Sequence, residues 1–418
     1  MKWSTSSSGV QRVTEILLAV CTSVVVLLVF FRLKNSPLLY DEVFHFRRIE
    51  GLLNGTITLR DFGVMFPGYH VLAAGILRIF GQTSLSAARA VSLFFSLASC
   101  IAAYGVARAV DRPSALLRTL QFALLPILLP FFPLIYTDTL SLSLVLFALL
   151  AALRGRLLLL GLFFLLAALV RQNNILWAPL LFAVLLSSNP FWKISATGPV
   201  SWLHQALRRL HDGHALRSFL RLVVPFLLPV IAFAAFVAVT GRASFNPDLA
   251  AAHPFPSFSL GNIFFTFFLF TALFLPLVFV RARAIVLLLR RPWVLLLLVA
   301  LFILFSVGFQ VDHPANSEMG RLRDVVLLAA AAGGLNGFLF WLTGALAVLT
   351  MFVTPLARRS FAWIYPLSFL YLGGSWLIET RYAIVPLVFF LLLRKPNSWR
   401  VEILQFAFNA LLLLWVFL

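Results

Sequence analysis

Acidic residues are scarce here: fourteen Asp and Glu stand against thirty-three Lys and Arg, and charged residues make up only 11% of the 418 positions. A water-soluble chain of this length has to wet a large surface, so so little charge excludes an ordinary soluble domain. Cysteine is nearly absent. Cys21 and Cys100 both sit inside apolar runs, which excludes a disulfide framework and a redox motif. No Cys and His pair has metal-ligand spacing, so no metal and no other cofactor is expected. The sequence also lacks a Walker loop, a G-x-S-x-G elbow and an H-E-x-x-H motif. No repeat of 20–50 residues is visible, which gives no support to an internally duplicated transporter.

What is present is hydrophobic. Apolar residues make up 62% of the chain and the mean hydropathy is +1.00. Apolar runs fall near 15–32, 66–80, 88–107, 117–135, 139–153, 157–187 (one span or two), 220–240, 260–280, 292–310, 327–353, 360–376, 381–393 and 401–418. Backbone groups in hydrocarbon must be paired within their own segment, so each run predicts a helix. The expected fold is all-α, a polytopic transmembrane helical bundle of roughly eleven to thirteen spans in a single domain. The basic N-terminus, Met1 to Arg12, precedes an apolar run too long for a signal-peptide core, so a retained first span is expected.

The net charge of +19 comes mostly from Arg. With so little polar surface elsewhere, these charges read as loop anchors facing anionic leaflets; no nucleic-acid partner is expected. Segment 188–219 carries Lys193, Arg208, Arg209 and Arg217, with Arg221 just beyond it, against the single acid Asp212, and reads as cytoplasmic. So do the clusters at Arg281–Arg291 and Arg394–Arg400. In segment 33–65 the bases are offset by Asp41, Glu42, Glu50 and Asp61, which places it on the lumenal side; 311–326 is expected there too. Arg108, Arg112, Arg118, Arg154 and Arg156 conflict with simple counting unless 66–80 lies at the interface or dips in and returns. Pro67, Gly68 and Arg78 favour that.

Four polar motifs interrupt the apolar background. Tyr40-Asp41-Glu42-Val43-Phe44-His45 opens a helix-compatible stretch whose Val43, Phe46, Ile49 and Leu53 share a face. There Asp41 and His45 are i,i+4 neighbours. A carboxylate pair at the membrane surface can serve as a general base on a hydroxyl; equally, Asp41 can be a helix cap and Glu42 a dipole partner. Tyr136-Thr137-Asp138 puts an acid against hydrocarbon, either as a site residue or as a cap at a tight turn. Arg171-Gln172-Asn173-Asn174 breaks the 157–187 run, lining a wet cavity or forming a short loop, and Arg171 can fork onto a phosphate. In Glu379-Thr380-Arg381-Tyr382 the acid and base lie two apart, so each is expected to find a separate partner. Asp312, His313, Glu318, Arg321, Arg323 and Asp324 read as a solvated connection. Asn54-Gly55-Thr56 is a glycosylation sequon, consistent with a lumenal loop.

Taken together the four motifs resemble the endoplasmic-reticulum dolichyl-phosphoglucose-dependent alpha-1,2-glucosyltransferases, which have the GT-C architecture. Asp41, Glu42, Phe44 and His45 match an Asp-Glu-x-Phe-His motif; Tyr136, Thr137 and Asp138 match a Tyr-Thr-Asp turn. Arg171, Gln172, Asn174, Ile175 and Trp177 match an Arg-Gln-Thr-Asn-Ile-x-Trp run, with Asn173 in place of Thr. Leu377, Glu379, Arg381, Tyr382, Ile384 and Pro386 match a late Leu-x-Glu-x-Arg-Tyr-x-Ile-x-Pro run. Two segments depart: Gly241-Arg242-Ala243-Ser244 lacks the acid of a Gly-Asp-Lys-Ser type, and Asn316 to Asp324 does not fit an Ala-Asp-Asn-Arg-His-Tyr type.

The resemblance implies a multi-pass enzyme of the endoplasmic reticulum membrane with a lumenal site. Its donor would be dolichyl phosphate glucose and its acceptor a dolichyl-pyrophosphate oligosaccharide, with inversion and no metal. Asp41 would be the base with Glu42 sharing or orienting, and Arg171 and Arg381 would meet the departing phosphate. Tyr40, His45, Tyr136, Asp138, Gln172, Asn174, Glu379 and Tyr382 would line the pocket. Another GT-C transferase, using mannose or adding an earlier glucose, and a secondary transporter are the competing readings.

Overall fold

The computed structural model describes residues 8–62, 66–189, 212–241, 258–317 and 321–417. Among these the chain forms seventeen α-helices, a few 3-10 turns and no strand. Four helices are long and apolar enough to cross a bilayer: Gln11–Leu33, Leu85–Val110, Gly213–Val239 and Gly334–Val353. Gly261–Leu273 with Leu275–Leu289 makes a fifth if that pair, bent by 95°, is one span. The protein is therefore a helical membrane protein.

Several expected spans are interrupted, each for a local reason. The run 117–135 is a helix only over Ala115–Ala123, followed by turns and the 3-10 segment Leu129–Phe131; Pro126, Pro130 and Pro133 each remove a donor and clash with a preceding carbonyl. Pro276 ends the 260–280 run in the same way, just past Phe274. In 327–353 the break falls at Gly333 and Gly334, whose φ values of 75° and 58° suit residues without a Cβ. The run 157–187 is two helices, Leu157–Val170 and Ala178–Ser188. Helix Gly68–Ile79 has 12 residues, about 18 Å at helical rise, too short to cross. A Cβ on Gly68 would lie 2.5 Å from the Leu169 carbonyl oxygen, so glycine alone lets this helix begin against the loop leading to Arg171.

Helix Thr137–Leu153 sits at the centre, packed between Leu85–Val110 and Leu157–Val170 and buried nearly all round. Helix Ile384–Leu393 is buried along its whole length. These two elements bring the second and fourth motifs into the interior, because each motif immediately precedes its helix.

Arg118 and Arg394, expected as surface anchors, are inside the protein, and so is Arg89. Arg89, Arg118 and Arg394 are each 0–1% exposed. Arg118 donates to the carbonyls of Leu391 (2.7 Å) and Arg394 (2.5 Å), satisfying the C-terminal end of helix Ile384–Leu393. Arg394 is paired with Glu402 at 2.7 Å, and Gln121 donates to the same carboxylate. Residues 190–211 of the basic loop, with Lys193, Arg208 and Arg209, lie outside the described residues, as does the 242–244 segment.

Candidate active site

Residues 34–41 leave the first helix in irregular backbone, which needs partners for its carbonyls. Arg89 supplies them: its guanidinium donates to the carbonyls of Leu33, Ser36 and Pro37 and forks onto Glu42 through Nε (3.0 Å) and Nη2 (2.5 Å). Glu42 also accepts from the backbone N–H groups of Leu39 (3.0 Å) and Ile135 (2.9 Å). Both side chains are 0% exposed. Four donors therefore saturate the Glu42 carboxylate, and no oxygen is left to meet a substrate. Glu42, expected to share proton transfer with Asp41 or to orient the acceptor, here ties the connection to helix Leu85–Val110 and to the segment before Tyr136.

The knot leaves Asp41 at the surface. Tyr40 adopts φ 50°, a left-handed turn uncommon for a non-glycine residue, and helix Glu42–Asn54 starts just after it. Asp41 occupies the cap position, but its side chain makes no capping bond. Instead its carboxylate, 42% exposed, pairs with Arg381 at 2.7 Å. Its backbone N–H donates to the Tyr136 hydroxyl at 3.1 Å. Burial, then the Asp41 carboxylate, push the Tyr136 phenol well above its ordinary pKa, so it stays a neutral O–H.

Tyr136 ends extended backbone before helix Thr137–Leu153, and Asp138 stands in that helix's first turn. Asp138 makes no cap either: it pairs with Arg171, and its Oδ2 is buried without a hydrogen-bond partner among the described residues. Arg171 lies in extended backbone (φ −143°) between helix Leu157–Val170 and the 3-10 turn Gln172–Trp177. The motif is thus a loop between two helices and also part of a polar centre. Its guanidinium rests on the ring of Tyr382, 5.7 Å from the centroid; that of Arg381 lies 5.6 Å from the same ring and 5.6 Å from Tyr136.

Glu379 and Arg381 find separate partners, as their spacing predicts. Glu379 pairs with Arg323 at 2.6 Å, and Arg323 also forks onto Asp324. Burial pulls the Arg323 pKa down, but the two carboxylates outweigh it and hold the guanidinium above its ordinary value. The described part of segment 311–326 is only partly the solvated connection expected of it: Asp312, Pro314 and Ser317 are exposed, but two polar residues are inside. Asn316 and Asp324 are 0% exposed, and Asn316 brackets Ile378, donating to its carbonyl (2.9 Å) and accepting from its N–H (3.0 Å). Asn262 does the same for the neighbouring turn, donating to Ser375 and Leu377 and accepting from Glu379 N–H. Two asparagines thus hold the strand-like approach to Arg381. Arg321 lies 4.3 Å from the centroid of the Tyr40 ring, which is 60% exposed. Glu318 lies outside the described residues.

The remaining expected residues serve the frame. His45 is buried and shares a hydrogen bond with His70 (Nδ1 to Nε2, 3.0 Å), not with Asp41. Burial first, then His70, Arg381, Arg48 and Arg171, drive its pKa well below 6.5. Asn174 is buried and donates to Ser141 Oγ and the Ala167 carbonyl, both at 2.8 Å; Gln172 follows Arg171 in the 3-10 turn. The structure therefore brings Tyr40, Asp41, Tyr136, Asp138, Arg171, Glu379, Arg381 and Tyr382 around one polar centre, and sets Glu42, His45 and Asn174 behind it.

Sequence reasoning passed over Arg89, His70 and Asn262, and named Asn316 and Arg323 only as parts of the 311–326 segment, with no role in the site. Arg89 had a signal: a lone charge inside an apolar run costs free energy and demands a partner. The two asparagines had none, since nothing local shows which loop they brace.

The centre combines an accessible carboxylate, two guanidinium groups on one aromatic ring and a neutral phenol. Two polar atoms of its ion pairs, Asp138 Oδ2 and Arg381 Nε, are buried with no hydrogen-bond partner among the described residues. Such groups are normally satisfied, so these two atoms leave the centre with unmet hydrogen-bonding capacity beside the part-exposed Asp41 carboxylate. On the helix that follows the Arg381 turn, Pro386, Leu387 and Phe390 line a cavity of about 260 Å³ together with Phe267, Met351 and Tyr365, almost wholly apolar.

The sequence model of the DIE2/ALG10 family matches residues 35–314, two-thirds of the chain and three of the four motifs. The chain is similar to the mouse protein named Dol-P-Glc:Glc(2)Man(9)GlcNAc(2)-PP-Dol alpha-1,2-glucosyltransferase, 29% identical over 248 residues, covering 51% of this chain and 52% of that protein. The rat protein of the same name is 27% identical over 248 residues with the same coverage. The chain spans about half the length of the curated relatives it matches.

Proposed function

The chain belongs to the DIE2/ALG10 family, and on that premise we propose that it is an inverting glucosyltransferase. It would transfer glucose from dolichyl phosphate glucose to a lipid-linked oligosaccharide in an alpha-1,2 linkage, as the names of its mouse and rat relatives describe for those proteins. The observation that carries the reading is the bond between Asp41 and Arg381 beside Tyr382 and Arg171.

In the reaction, the acceptor sugar's hydroxyl oxygen attacks the anomeric carbon of the donor glucose. The bond from that carbon to the phosphate oxygen breaks, the hydroxyl proton passes to the Asp41 carboxylate, and dolichyl phosphate leaves with the bonding pair. Arg381 and Arg171 stabilise the charge that builds on the phosphate. In the resting molecule Asp41 is held by Arg381. A donor phosphate competes for that guanidinium and releases the carboxylate, so binding of the donor readies the base. The apolar cavity is lined by Pro386, Leu387 and Phe390, five to nine residues beyond Arg381, where the lipid chain of a bound donor would run.

The reading places the protein in the endoplasmic reticulum membrane with segments 33–65 and 311–326 in the lumen and the basic 188–219 loop in the cytosol. The shorter apolar helices, such as Thr137–Leu153, Leu157–Val170 and Pro292–Gly308, add to the long ones in the expected total of roughly eleven to thirteen. The test is transfer by the purified protein from dolichyl phosphate glucose and dolichyl phosphate mannose, with the lipid-linked oligosaccharide profile of cells lacking it. Glucose transfer and accumulation of a species one terminal glucose short are expected. An unchanged profile, or mannose as the transferred sugar, would overturn the proposal.

A further inference from the structure

Helix Glu42–Asn54 carries a second feature beyond Asp41. Asp41, Phe44, Arg48 and Gly51 follow one another at intervals of three, four and three residues, so they descend one face of the helix. That face opens into a cavity of about 320 Å³ rimmed by Phe44, Arg47, Arg48, Thr56, Ile57 and Asp61, at the lower end of the 300–1,000 Å³ usual for small-ligand sites. Gly51 forms its floor: a Cβ there would lie 3.0 Å from the Ile57 Cβ.

The lining is mixed in a particular way. Phe44 is 57% exposed, an aromatic face open to solvent beside charged groups. Arg48 donates through Nε to the Asp61 carbonyl at 2.8 Å, while its Nη1 is buried with no partner among the described residues. The Asp61 carboxylate takes the N–H and hydroxyl of Thr58 on one oxygen, both at 2.7 Å. Those bonds lower the Asp61 pKa, so the group is an anion at neutral pH. A phosphate would meet the two arginines but be repelled by Asp61, and it has no use for an aromatic face. A lipid chain has no use for three charges. A hexose ring offers what the lining asks for: a C–H face for the ring of Phe44, hydroxyl oxygens for Arg47 and Arg48, and hydroxyl hydrogens for Asp61.

We propose that the cavity formed by Phe44, Arg48 and Asp61 is a carbohydrate subsite that holds the acceptor glycan, a neutral hexose unit lying along the helix whose first residue follows Asp41. The assignment of this sugar to the acceptor rests on the proposed transferase activity; the existence of the subsite does not. One helix then carries both the base and the hold on the molecule it deprotonates, so the reacting hydroxyl is registered against Asp41 by rigid helical spacing.

The experiment uses the full chain in detergent and the free oligosaccharide Glc(2)Man(9)GlcNAc(2), with binding followed by saturation-transfer NMR and transfer assayed in parallel. Phe44→Ala and Arg48→Met are each expected to weaken glycan binding by about tenfold or more. Each should raise the acceptor KM with little change in donor KM, whereas Phe44→Tyr, which keeps the ring, should bind as the parent does. Unfolding midpoints close to the parent's check that the variants fold; Phe44 is exposed, so its truncation should not disturb the core. Parent-like binding by both variants, no glycan binding by the parent, or displacement of the glycan by inorganic phosphate would each overturn the subsite. Glycan binding without glucose transfer would remove the proposed activity and leave the subsite standing. Transfer with an unaltered acceptor KM in both variants would do the reverse.

Discussion

Arg171 and Arg381 rest on one ring: their guanidinium carbons lie 5.7 and 5.6 Å from the centroid of Tyr382. Two cations gathered on one aromatic ring repel each other, and each is balanced by its own acid, Asp138 for Arg171 and Asp41 for Arg381. Asp138 is buried, and among the described residues Arg171 is its ion-pair partner, so that pair is shielded from water. Asp41 is part exposed, so that pair can open. This asymmetry separates a fixed cation from one that can change partners.

Asp41→Asn should lower kcat by about 10²–10⁴-fold, the usual contribution of a general base. The folded protein should be nearly unaffected, because a half-exposed ion pair contributes at most about 1 kcal/mol. Steady-state transfer kinetics beside thermal unfolding check both parts, with Glu50→Gln, an exposed acid on the same helix outside both the ion-pair centre and the subsite, as the comparison. Equal loss of kcat in the two variants would count against Asp41.

Arg381→Lys keeps the charge but not the planar fork, so its effect should fall on the donor. A donor KM raised by about tenfold is expected, equivalent to about 1.4 kcal/mol. Binding of a non-transferable dolichyl phosphate reads this directly. An unchanged donor KM with a raised acceptor KM would reassign the residue.

Glu42→Gln and Arg89→Met should reduce the amount of folded protein rather than its turnover. Each leaves an uncompensated buried group, a loss of about 3–5 kcal/mol. Quantitative detection of the protein in membranes, with transfer normalised to that amount, separates the two effects. Normal abundance with abolished turnover for Glu42→Gln would return that carboxylate to the chemistry.

His45 titrates in the unfolded chain near 6.5 and in the folded protein well below it. Its neutral form is the one folding accepts. The stability it confers is present above about 6.5 and is lost as pH falls below that value, at up to about 1.4 kcal/mol per pH unit. Unfolding midpoints between pH 7.5 and 5.5 should fall more steeply in the parent than in His45→Gln. Identical slopes would show that folding leaves the His45 pKa unshifted.

Asn316→Ala should spare the bundle and loosen the approach to Arg381. Asn316 holds both backbone groups of Ile378, and Glu379 follows directly. A donor KM raised several-fold is expected, with an unfolding midpoint that falls modestly because the buried backbone groups of Ile378 lose their partner, about 1–3 kcal/mol for each unsatisfied group.

Much of this was legible in the sequence. Apolar composition dictates helices, because hydrocarbon leaves the backbone no other partners. The prolines at 126, 130 and 133 and the glycines at 333 and 334 are local signals of breaks, although the apolar runs across them suggested continuous spans. The four motifs announced themselves as polar residues in costly surroundings, and the spacing of Glu379 and Arg381 foretold separate partners. Spacing could not rank Asp41 against Glu42. They are adjacent, chemically alike and equally placed for a base.

Local sequence determined which residues are polar, which segments are helical and where helices stop, since those follow from each residue's own backbone and solvation preferences. Only the tertiary structure decided what the charges do. Arg89 reaches back to close over Glu42, while Arg381 arrives from the far end of the chain to meet Asp41. An ion pair is set by distance in space, and distance in space between segments hundreds of residues apart is fixed by packing alone.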